Sequence, residues 1–180
     1  MDCVEYIKSD LYRYTGSFSF GSFVIQYVRN RSFRYSFWLR LCRSRNGMIK
    51  LIAMIMHKWY SGKYLIKIPR QTRIGYGRYI GHNMCIVISD TAVIGDNCNL
   101  GQFLTIGSNH GKAATIGDCV YIGPNVCIVE NITIGSGATI GAGSVVVKDV
   151  QENSTVAGNP ARTISMKAPG RYIVNRWIRS

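Results

Sequence analysis

Aliphatic residues recur every six positions through the second half of this chain, and a glycine directly follows most of them. A helix would need apolar residues every three to four positions, and this stretch lacks that period. The six-residue period predicts a solenoid of short flat strands, in which each aliphatic side chain fills a narrow core and each glycine allows a tight corner. The aliphatic positions are Ile74, Ile80, Ile88, Ile94, Leu100, Ile106, Ile116, Ile122, Ile128, Ile134, Ile140 and Val146.

Two breaks interrupt this period, and each of them contains a histidine. The spacing widens to eight residues after Ile80 and to ten residues after Ile106. Insertions in a solenoid leave the core unchanged and project from one face, which is often the working face. Because His82 lies in the first break and His110 in the second, we expect both imidazoles to face outward and to be candidates for chemistry.

The N-terminal part has a different pattern, which predicts amphipathic helices. The apolar residues that share helix faces are Val4, Ile7 and Leu11, then Phe33, Phe37 and Leu41, with a third candidate helix from Met48 to Tyr60. We expect a helical cap on the solenoid; a subunit interface and a membrane-surface layer are the alternatives. The predicted fold is mainly β, with a helical region at residues 1–66, a β-helix of about four turns at residues 67–150, and an exit loop with a basic tail at residues 151–180. The tail is expected to be a short helix or an extended arm.

Positive charge is concentrated in the predicted helical region. The chain has a net charge of +13, and residues 1–73 contain 14 Lys/Arg against 3 Asp/Glu, whereas residues 74–180 contain 8 against 6. This asymmetry suggests an anionic partner, such as a membrane surface, nucleic acid or an acidic substrate, unless it is only a solvated basic face. No nucleic-acid-binding motif accompanies the charge, so we do not expect a nucleic-acid partner.

The cysteine usage and the N-terminus favour a cytoplasmic protein. The six cysteines form no CxxC motif and have no zinc spacing, so no metal is expected and a reducing compartment fits best. The N-terminus does not resemble a signal peptide. The longest apolar run, from Met48 to Met56, is far too short to span a membrane. Peripheral contact with the inner face of an anionic membrane stays open.

Histidine in a surface loop of a solenoid is suited to general-base catalysis. Its ordinary pKa of about 6.5 allows an imidazole to take a proton from a hydroxyl as that oxygen attacks an acyl carbon. The attack creates an oxyanion, which requires hydrogen-bond donors aimed at it. Backbone N–H groups of Gly107, Ser108 and Asn109, or the Asn109 side chain, are the candidate donors. His57, in the apolar third helix, is expected to be a packed or surface imidazole.

The stretch from Ile74 to Pro160 resembles the hexapeptide-repeat acyltransferases that use acetyl-coenzyme A. The resemblance is greatest to the serine acetyltransferases and their saccharide O-acetyltransferase relatives. The segments that carry it are IGH (80–82), IVISDTAVIG (86–95), IGDCVYIG (116–123), IGAGSVV (140–146) and AGNPAR (157–162). It implies a left-handed parallel β-helix, acetyl-CoA as co-substrate, and a homotrimer with its sites between subunits.

The resemblance also implies roles for the two histidines of the solenoid. His82 falls where serine acetyltransferases have their general base, and His110 falls in the loop that contains their second, acceptor-contacting histidine. The more distant galactoside and maltose acetyltransferases have their catalytic histidine in that second loop. We therefore expect His82 to be the base and His110 to position the acceptor, with His110 as the alternative base.

This chain departs from the serine enzymes at two positions. They have an Asp directly before the catalytic histidine and another, earlier in the chain, that orients its ring; here these positions are occupied by Gly81 and Lys67. The loss of both carboxylates argues against the ammonium group of serine and towards an uncharged sugar hydroxyl. Asp90, or a backbone carbonyl, is the candidate to orient His82 instead.

Coenzyme binding is implied at a third set of positions. In the relatives the pantetheine arm lies in a groove between neighbouring solenoids, where small residues let it approach the backbone. Lys148 and Arg162 are suited to the anionic phosphates. The matching positions here are Gly123, Pro124, Gly141, Ala142, Val147, Lys148 and Arg162.

The function predicted from the sequence is an acetyl-CoA-dependent O-acetyltransferase that acts on a surface polysaccharide or its precursor. Serine O-acetylation and a non-catalytic hexapeptide-repeat scaffold are the alternatives. A metal-dependent hydratase of the γ-carbonic-anhydrase type also uses this solenoid, but its metal requires three histidines and only two lie in the repeat.

Overall fold

The computed structural model describes residues 3–179 and contains four helices followed by fifteen short strands. The helices are α1 (Cys3–Thr15), α2 (Phe20–Arg29), α3 (Arg31–Leu41) and α4 (Gly47–Tyr64). The strands are β1 (Ile66–Lys67), β2 (Arg73–Ile74), β3 (Tyr79–Ile80), β4 (Ile86–Ile88), β5 (Val93–Ile94), β6 (Asn99–Leu100), β7 (Thr105–Gly107), β8 (Thr115–Ile116), β9 (Tyr121–Ile122), β10 (Cys127–Val129), β11 (Thr133–Ile134), β12 (Thr139–Ile140), β13 (Val145–Val146), β14 (Thr155–Gly158) and β15 (Ala161–Ser165).

Three sheets form the faces of a parallel solenoid. The first sheet has the order β1-β4-β7-β10-β13, the second β2-β5-β8-β11, and the third β3-β6-β9-β12-β14-β15. Successive strands of the chain pass from one sheet to the next, so three strands make one coil. The prediction of a mainly β solenoid preceded by helices is confirmed, and the structure has about five coils rather than the four expected.

The core follows the six-residue period closely. In the second sheet Ile74, Ile94, Ile116 and Ile134 pair in register, and each of them is at most 5% exposed. The glycines that follow the aliphatic residues allow the coils to stack. A Cβ atom on Gly101 would lie 2.6 Å from the carbonyl carbon of a glycine in the next coil, which is too close for any other residue.

The helices cover the open end of the solenoid and satisfy the backbone of its first coil. The edge of a parallel sheet presents unpaired N–H and C=O groups, which must be paired or covered. Arg40 of α3 donates to the carbonyls of Ile74 (2.8 Å) and Gly75 (2.6 Å). Arg13 of α1 donates to the carbonyl of Gly77 (2.6 Å). This arrangement agrees with the expected helical cap.

A buried ionic group lies at the centre of this cap. Asp10 of α1 accepts two hydrogen bonds of 2.9 Å from the guanidinium of Arg40 and one of 2.9 Å from the backbone N–H of Arg78. The guanidinium of Arg78 lies 3.8 Å from the same carboxylate. Burial lowers the pKa of Arg78 to about 10, and the neighbouring charge of Arg40 adds to this effect. Asp10 therefore neutralises two cations that have almost no contact with water.

The structure differs from the sequence-based prediction in the helical region. Helix α2 lies in the region predicted to be helical, although no apolar face was named for it, and α4 continues to Tyr64 rather than ending near Ser61 and Gly62. A glycine inside a helix costs only about 1 kcal/mol, so tertiary packing overrides it. The helix ends where Leu65 adopts a left-handed conformation and its N–H bonds to the Ser61 carbonyl.

The C-terminal part also differs from the prediction. Strand β14 continues the third sheet beyond residue 150, and β15 pairs with it as an antiparallel hairpin, where a turn-rich exit was expected. The tail is not helical in its described part. It packs back along the solenoid, where the backbone N–H of Trp177 donates to the Asn97 side chain (2.7 Å) and Arg179 forms an ion pair with Asp96 (2.8 Å).

Candidate functional site

The turns at the two ends of the first sheet contain almost all the residues singled out by the sequence. We call the turns that enter this sheet the His82 corner; they comprise residues 81–85, 101–104, 123–126 and 141–144. We call the turns that leave it the His110 corner; they comprise residues 89–92, 108–114, 130–132 and 147–149. Each corner is a column of stacked turns that runs along the solenoid.

His82 lies in the widened turn between β3 and β4, and its side chain is exposed. The backbone of this turn is fixed by hydrogen bonds from Gly81 N to the Leu100 carbonyl (3.1 Å) and from Met84 N to the His82 carbonyl (3.0 Å). Within residues 3–179 the imidazole has no hydrogen-bond partner. The backbone of the turn is therefore fixed, and the exposed ring is available to a ligand.

Tyr14 of α1 clamps the strand that leads into this turn. Its hydroxyl accepts a hydrogen bond from the N–H of Ile80 (3.0 Å) and donates one to the carbonyl of the same residue (3.1 Å). Burial raises the pKa of the Tyr14 phenol well above its usual range, so the phenol stays protonated. The cap thus positions the backbone two residues before His82.

A cleft of about 680 Å³ opens beside His82, between the helical cap and the first turns of the solenoid. Its wall is formed by the junction of α2 and α3 and by the end of α4. Residues that line it include Arg29, Arg31, Lys63, Tyr64, His82 and Asn83. No Asp or Glu is among the described residues that line this cleft. The site is therefore open, polar and cationic.

His110 lies at the opposite end of the first sheet, in the exposed loop between β7 and β8. This loop is tethered by Glu130, which accepts hydrogen bonds from the Ser108 hydroxyl (2.7 Å) and the Asn109 backbone N–H (3.2 Å). These hydrogen bonds, that from Ser108 foremost, hold the pKa of the Glu130 carboxyl below its usual range. Because a sheet width separates the corners, one chain does not bring His82 and His110 together.

Asp90 also lies at the His110 corner, and one chain does not bring it to His82. It accepts a hydrogen bond from the Gln71 side chain (3.3 Å). The neighbouring Thr91 donates to the carbonyl of Gly111 in the loop of the next coil (3.1 Å). The expected orienter of His82 therefore supports the other corner, and Lys67, at the place of the relatives' orienting Asp, is exposed on β1.

The candidate coenzyme positions divide between the two corners. Gly123, Pro124, Gly141 and Ala142 belong to the His82 corner, because the strands that precede them pair in register from Ile80 to Ile140. Arg162 of β15 pairs with Ala157 of β14, at the end of the same column. Val147 and Lys148, both exposed, belong to the His110 corner.

His57 is a packed imidazole at the interface between α4 and α3. Its Nε2 atom lies 3.0 Å from the hydroxyl of Tyr35. Burial, together with the charge of Arg78, lowers the pKa of His57 to about 4, so the ring is neutral near pH 7. This agrees with a structural role for the third histidine.

Within the described chain, no group of three or more His, Cys, Asp or Glu side chains is arranged to hold a metal ion. No helix between residues 3 and 179 is long and apolar enough to cross a bilayer.

Sequence reasoning missed the cap's contribution to this site. The excess of basic residues before Ile74 was visible, but the pattern gave no signal for which of them would border His82. Arg29, Arg31 and Lys63 come from three different helices, so only the packing of those helices places them in one cleft. Nor did the pattern single out Tyr14.

Comparison with known proteins relates this chain to hexapeptide-repeat transferases. The model of the bacterial transferase hexapeptide family (six repeats) matches residues 113–148. A search of curated proteins finds no match. The serine acetyltransferase of Brucella abortus strain S19 is 28% identical, with a TM-score of 0.78 over 92% of this chain and 70% of that chain.

Two further structures are similar at slightly higher identity. The soybean serine acetyltransferase apoenzyme is 30% identical, with a TM-score of 0.75 over 90% of this chain and 69% of that chain. The Neisseria gonorrhoeae serine acetyltransferase in complex with serine is 30% identical, with a TM-score of 0.73 over 91% and 69%. A serine acetyltransferase in complex with CoA is also similar, at 27% identity and a TM-score of 0.63. The chain belongs to the serine acetyltransferase-like family of hexapeptide-repeat acyltransferases.

Proposed function

We propose that this protein is an acetyl-CoA-dependent O-acetyltransferase whose general base is His82. The observation that carries the proposal is the exposed imidazole of His82, which borders an open cleft and lies on the same corner as the small residues suited to the coenzyme. Family membership supports the acyl donor, since one relative of this fold binds CoA.

The proposed reaction is a direct transfer. His82 takes the proton from the acceptor hydroxyl as the oxygen attacks the thioester carbonyl carbon. The tetrahedral oxyanion collapses, the C–S bond breaks, and the imidazolium returns the proton to the sulfur of coenzyme A. A general base of this kind contributes about 10²–10⁴-fold in rate. Asn109 and the backbone N–H groups of its loop stay candidate donors to the oxyanion, contributed from the His110 corner.

The coenzyme is proposed to lie along the His82 corner. Adjacent coils are separated by about 4.8 Å, so the turn at Gly141 lies about 14 Å from the turn at His82, three coils away. Gly123, Pro124, Gly141 and Ala142 would allow an extended arm to approach the backbone along this column. Arg162 at its end, and Lys148 from the His110 corner, would bind the phosphates.

The division of the site between two corners supports a homotrimer. Within one chain, His82 and Lys148 lie at opposite ends of the first sheet. If the His82 corner of one protomer faces the His110 corner of the next, a closed ring places both sets in one cleft. Native mass spectrometry is expected to find three copies. A monomer that is fully active would contradict this arrangement.

Two acceptors have separate support. Serine is favoured by the relatives, which are serine acetyltransferases. A saccharide hydroxyl is favoured by the cleft itself, because Gly81 and Lys67 stand where the relatives' carboxylates would be and no carboxylate replaces them among the lining residues.

Release of free thiol from acetyl-CoA tests this proposal. The assay is run with serine, with a panel of sugars and without acceptor. Thiol release that depends on a hydroxyl compound supports an O-acetyltransferase, and the preferred compound decides between the acceptors. Binding of acetyl-CoA without turnover on any hydroxyl compound would favour a non-catalytic scaffold.

We also propose that α4 touches an anionic membrane surface. Met48, Leu51, Ile55 and Trp59 are 74%, 59%, 61% and 53% exposed along this helix, and Lys50, Lys58 and Lys63 are exposed beside them. Exposed apolar side chains flanked by lysines are typical of helices that lie in the plane of an anionic bilayer. Flotation with phosphatidylserine vesicles is expected to recover the protein, and Leu51→Ser with Ile55→Ser to abolish recovery. Protein that stays with the unbound fraction on such vesicles would contradict the proposal.

A further inference from the structure

The cleft beside His82 contains a cationic cluster that the acetyl transfer described above does not use. Arg29 is the last residue of α2, Arg31 is the first residue of α3, and Lys63 lies in the last turn of α4. All three are exposed, and all three line the same cleft as His82. Three helices of the cap therefore direct positive charge towards one place.

These charges are not neutralised within one chain. Within residues 3–179, ion pairs to carboxylates involve only Asp10 and Asp96, both outside the cleft. The side chains of Arg29 and Arg31 have no hydrogen-bond partner in the described chain. The Lys63 ammonium lies 4.6 Å from the centre of the Trp59 ring, a contact that leaves its charge in place. A cleft lined by charges of one sign concentrates ions of the other sign.

The neighbouring Arg34, unlike Arg29 and Arg31, has a structural role at the junction of α2 and α3. Its guanidinium donates to the carbonyls of Tyr27 (2.6 Å) and Val28 at the end of α2, and it lies 3.4 Å from the hydroxyl of Tyr64. Asn30 caps α3 by accepting from the N–H of Phe33 (3.1 Å). These contacts fix the junction between the two helices, so Arg29 and Arg31 are not needed to hold it.

We propose that the acceptor carries an anionic group, a carboxylate or a phosphate, which Arg29, Arg31 and Lys63 bind while its hydroxyl faces His82. This inference rests on the proposed O-acetyltransferase function and names the class of its acceptor. Arginine binds carboxylates and phosphates through paired N–H donors, and lysine adds a point charge. An ammonium group finds no counter-ion among the described residues of the cleft. The acceptor class is therefore a hydroxy acid, an acidic sugar or a sugar phosphate.

Matched acceptors test the charge directly. Glycerate, serine and glycerol share a three-carbon frame but differ in carboxylate and ammonium, and glucuronate, glucose 1-phosphate and glucose share a sugar ring. Thiol release from acetyl-CoA is measured with each compound at low and high ionic strength. We expect the anionic member of each set to have a kcat/KM about tenfold or more above that of its neutral member. We also expect this preference to shrink in high salt, because salt screens exposed charges.

The double variant Arg29→Gln and Arg31→Gln tests the residues. We expect it to raise the KM of the anionic acceptor about tenfold or more and to leave the KM of acetyl-CoA and the neutral acceptor's kcat/KM unchanged. Arg45→Gln is the matched control, because it removes an exposed cation outside the cleft. Circular dichroism and the unfolding midpoint verify that each variant folds.

The outcomes separate this inference from the proposed function. Thiol release that favours neutral acceptors, or an anionic preference that survives the double variant, overturns the inference and leaves the acetyltransferase intact. No thiol release with any hydroxyl compound overturns the proposed function and the inference together. The acceptors that carry a carboxylate and the acceptor that carries a phosphate show which anion the cleft prefers, and a preference for either one supports the inference.

Discussion

The two ends of the first sheet are built from the same repeat, but they differ in what supports them. On the approach to the His82 corner, the helical cap holds the backbone of the first coil through Tyr14, which bonds to Ile80, and through the buried Asp10, which bonds to Arg78. At the His110 corner, a longer exposed loop is tethered by the exposed end of Glu130. One corner is rigid and opens into a cationic cleft, while the other is a surface loop bearing carboxylates.

This difference explains why we assign the base to one corner and a helper role to the other. A general base must be held within hydrogen-bond reach of the proton it removes, and groups fixed by buried contacts keep such a position best. A loop with few buried contacts opens at low cost. The His110 loop of one protomer is therefore better suited to contact the acceptor that is bound beside His82 of the next protomer.

Replacing the base is expected to have the largest effect on turnover. His82→Ala should lower kcat by about 10²–10⁴-fold, because no other described group of the cleft takes the proton. Its dissociation constant for acetyl-CoA, measured by calorimetry, should stay the same. Gln102→Ala, at the same place in the next turn of the column, is the control and should leave kcat near that of the wild type. Normal turnover in His82→Ala would show that the general base does not lie at this corner.

Asp10 of the cap and Glu130 of the His110 corner each accept a backbone N–H, so their contributions to stability can be compared. Asp10→Asn should lower the free energy of unfolding by about 3–5 kcal/mol, because it leaves the buried guanidinium groups of Arg40 and Arg78 without a counter-ion. Glu130→Gln should leave the urea midpoint unchanged, because its carboxylate lies in water. Equal effects of the two substitutions would contradict the distinction between a buried and an exposed support.

The clamp on the strand before His82 is expected to have an intermediate effect. Tyr14→Phe leaves the buried N–H and carbonyl of Ile80 without a side-chain partner and should cost about 1–3 kcal/mol in the free energy of unfolding. It should also lower kcat without changing the KM of acetyl-CoA, since the His82 turn loses its support. Tyr12→Phe on the same helix is the control. An unfolding curve identical to that of the wild type would show that the clamp contributes nothing.

A further difference is expected in pH dependence, between the helical cap and the His110 corner. The folded pKa of His57 is about 4, below the ordinary value of about 6.5, so the unfolded chain binds its proton first and stability should fall as the pH drops from about 6.5 to about 4. The exposed carboxylate of Glu130 should add nothing measurable to this fall, in line with the unchanged midpoint expected for Glu130→Gln. His57→Gln should flatten the fall in the unfolding midpoint between pH 6.5 and 4.5, and His110→Gln should not.

The solenoid could be predicted from the sequence because its signal is local and repeated. The narrow core requires an inward-facing aliphatic side chain at each of these positions, Ile94 for example. The separation of His82 from His110 can also be derived from the period. Ile80 and Ile106 are four periods apart, and three periods make one coil. The residues that follow them therefore lie at different corners.

The cap and the cleft could not be predicted in the same way. Helix α2 has an apolar stripe at helical spacing, formed by Phe20, Phe23, Val24, Tyr27 and Val28. None of its residues is buried in this chain, so the stripe does not show where the helix packs. The placement of Arg29, Arg31 and Lys63 around His82 depends on how three helices pack, which a local pattern does not encode. The support from Tyr14 and Asp10 joins residues almost seventy positions apart.

A side-by-side measurement of kcat in His82→Ala, His110→Ala and the double variant tests the central assignment most directly. With acetyl-CoA and acceptor at saturation, the account predicts that His82→Ala loses orders of magnitude, that His110→Ala loses far less, and that the double variant is no slower than His82→Ala. A His110→Ala enzyme that loses as much as the double variant, beside a His82→Ala enzyme that still turns over, would place the base at the other corner.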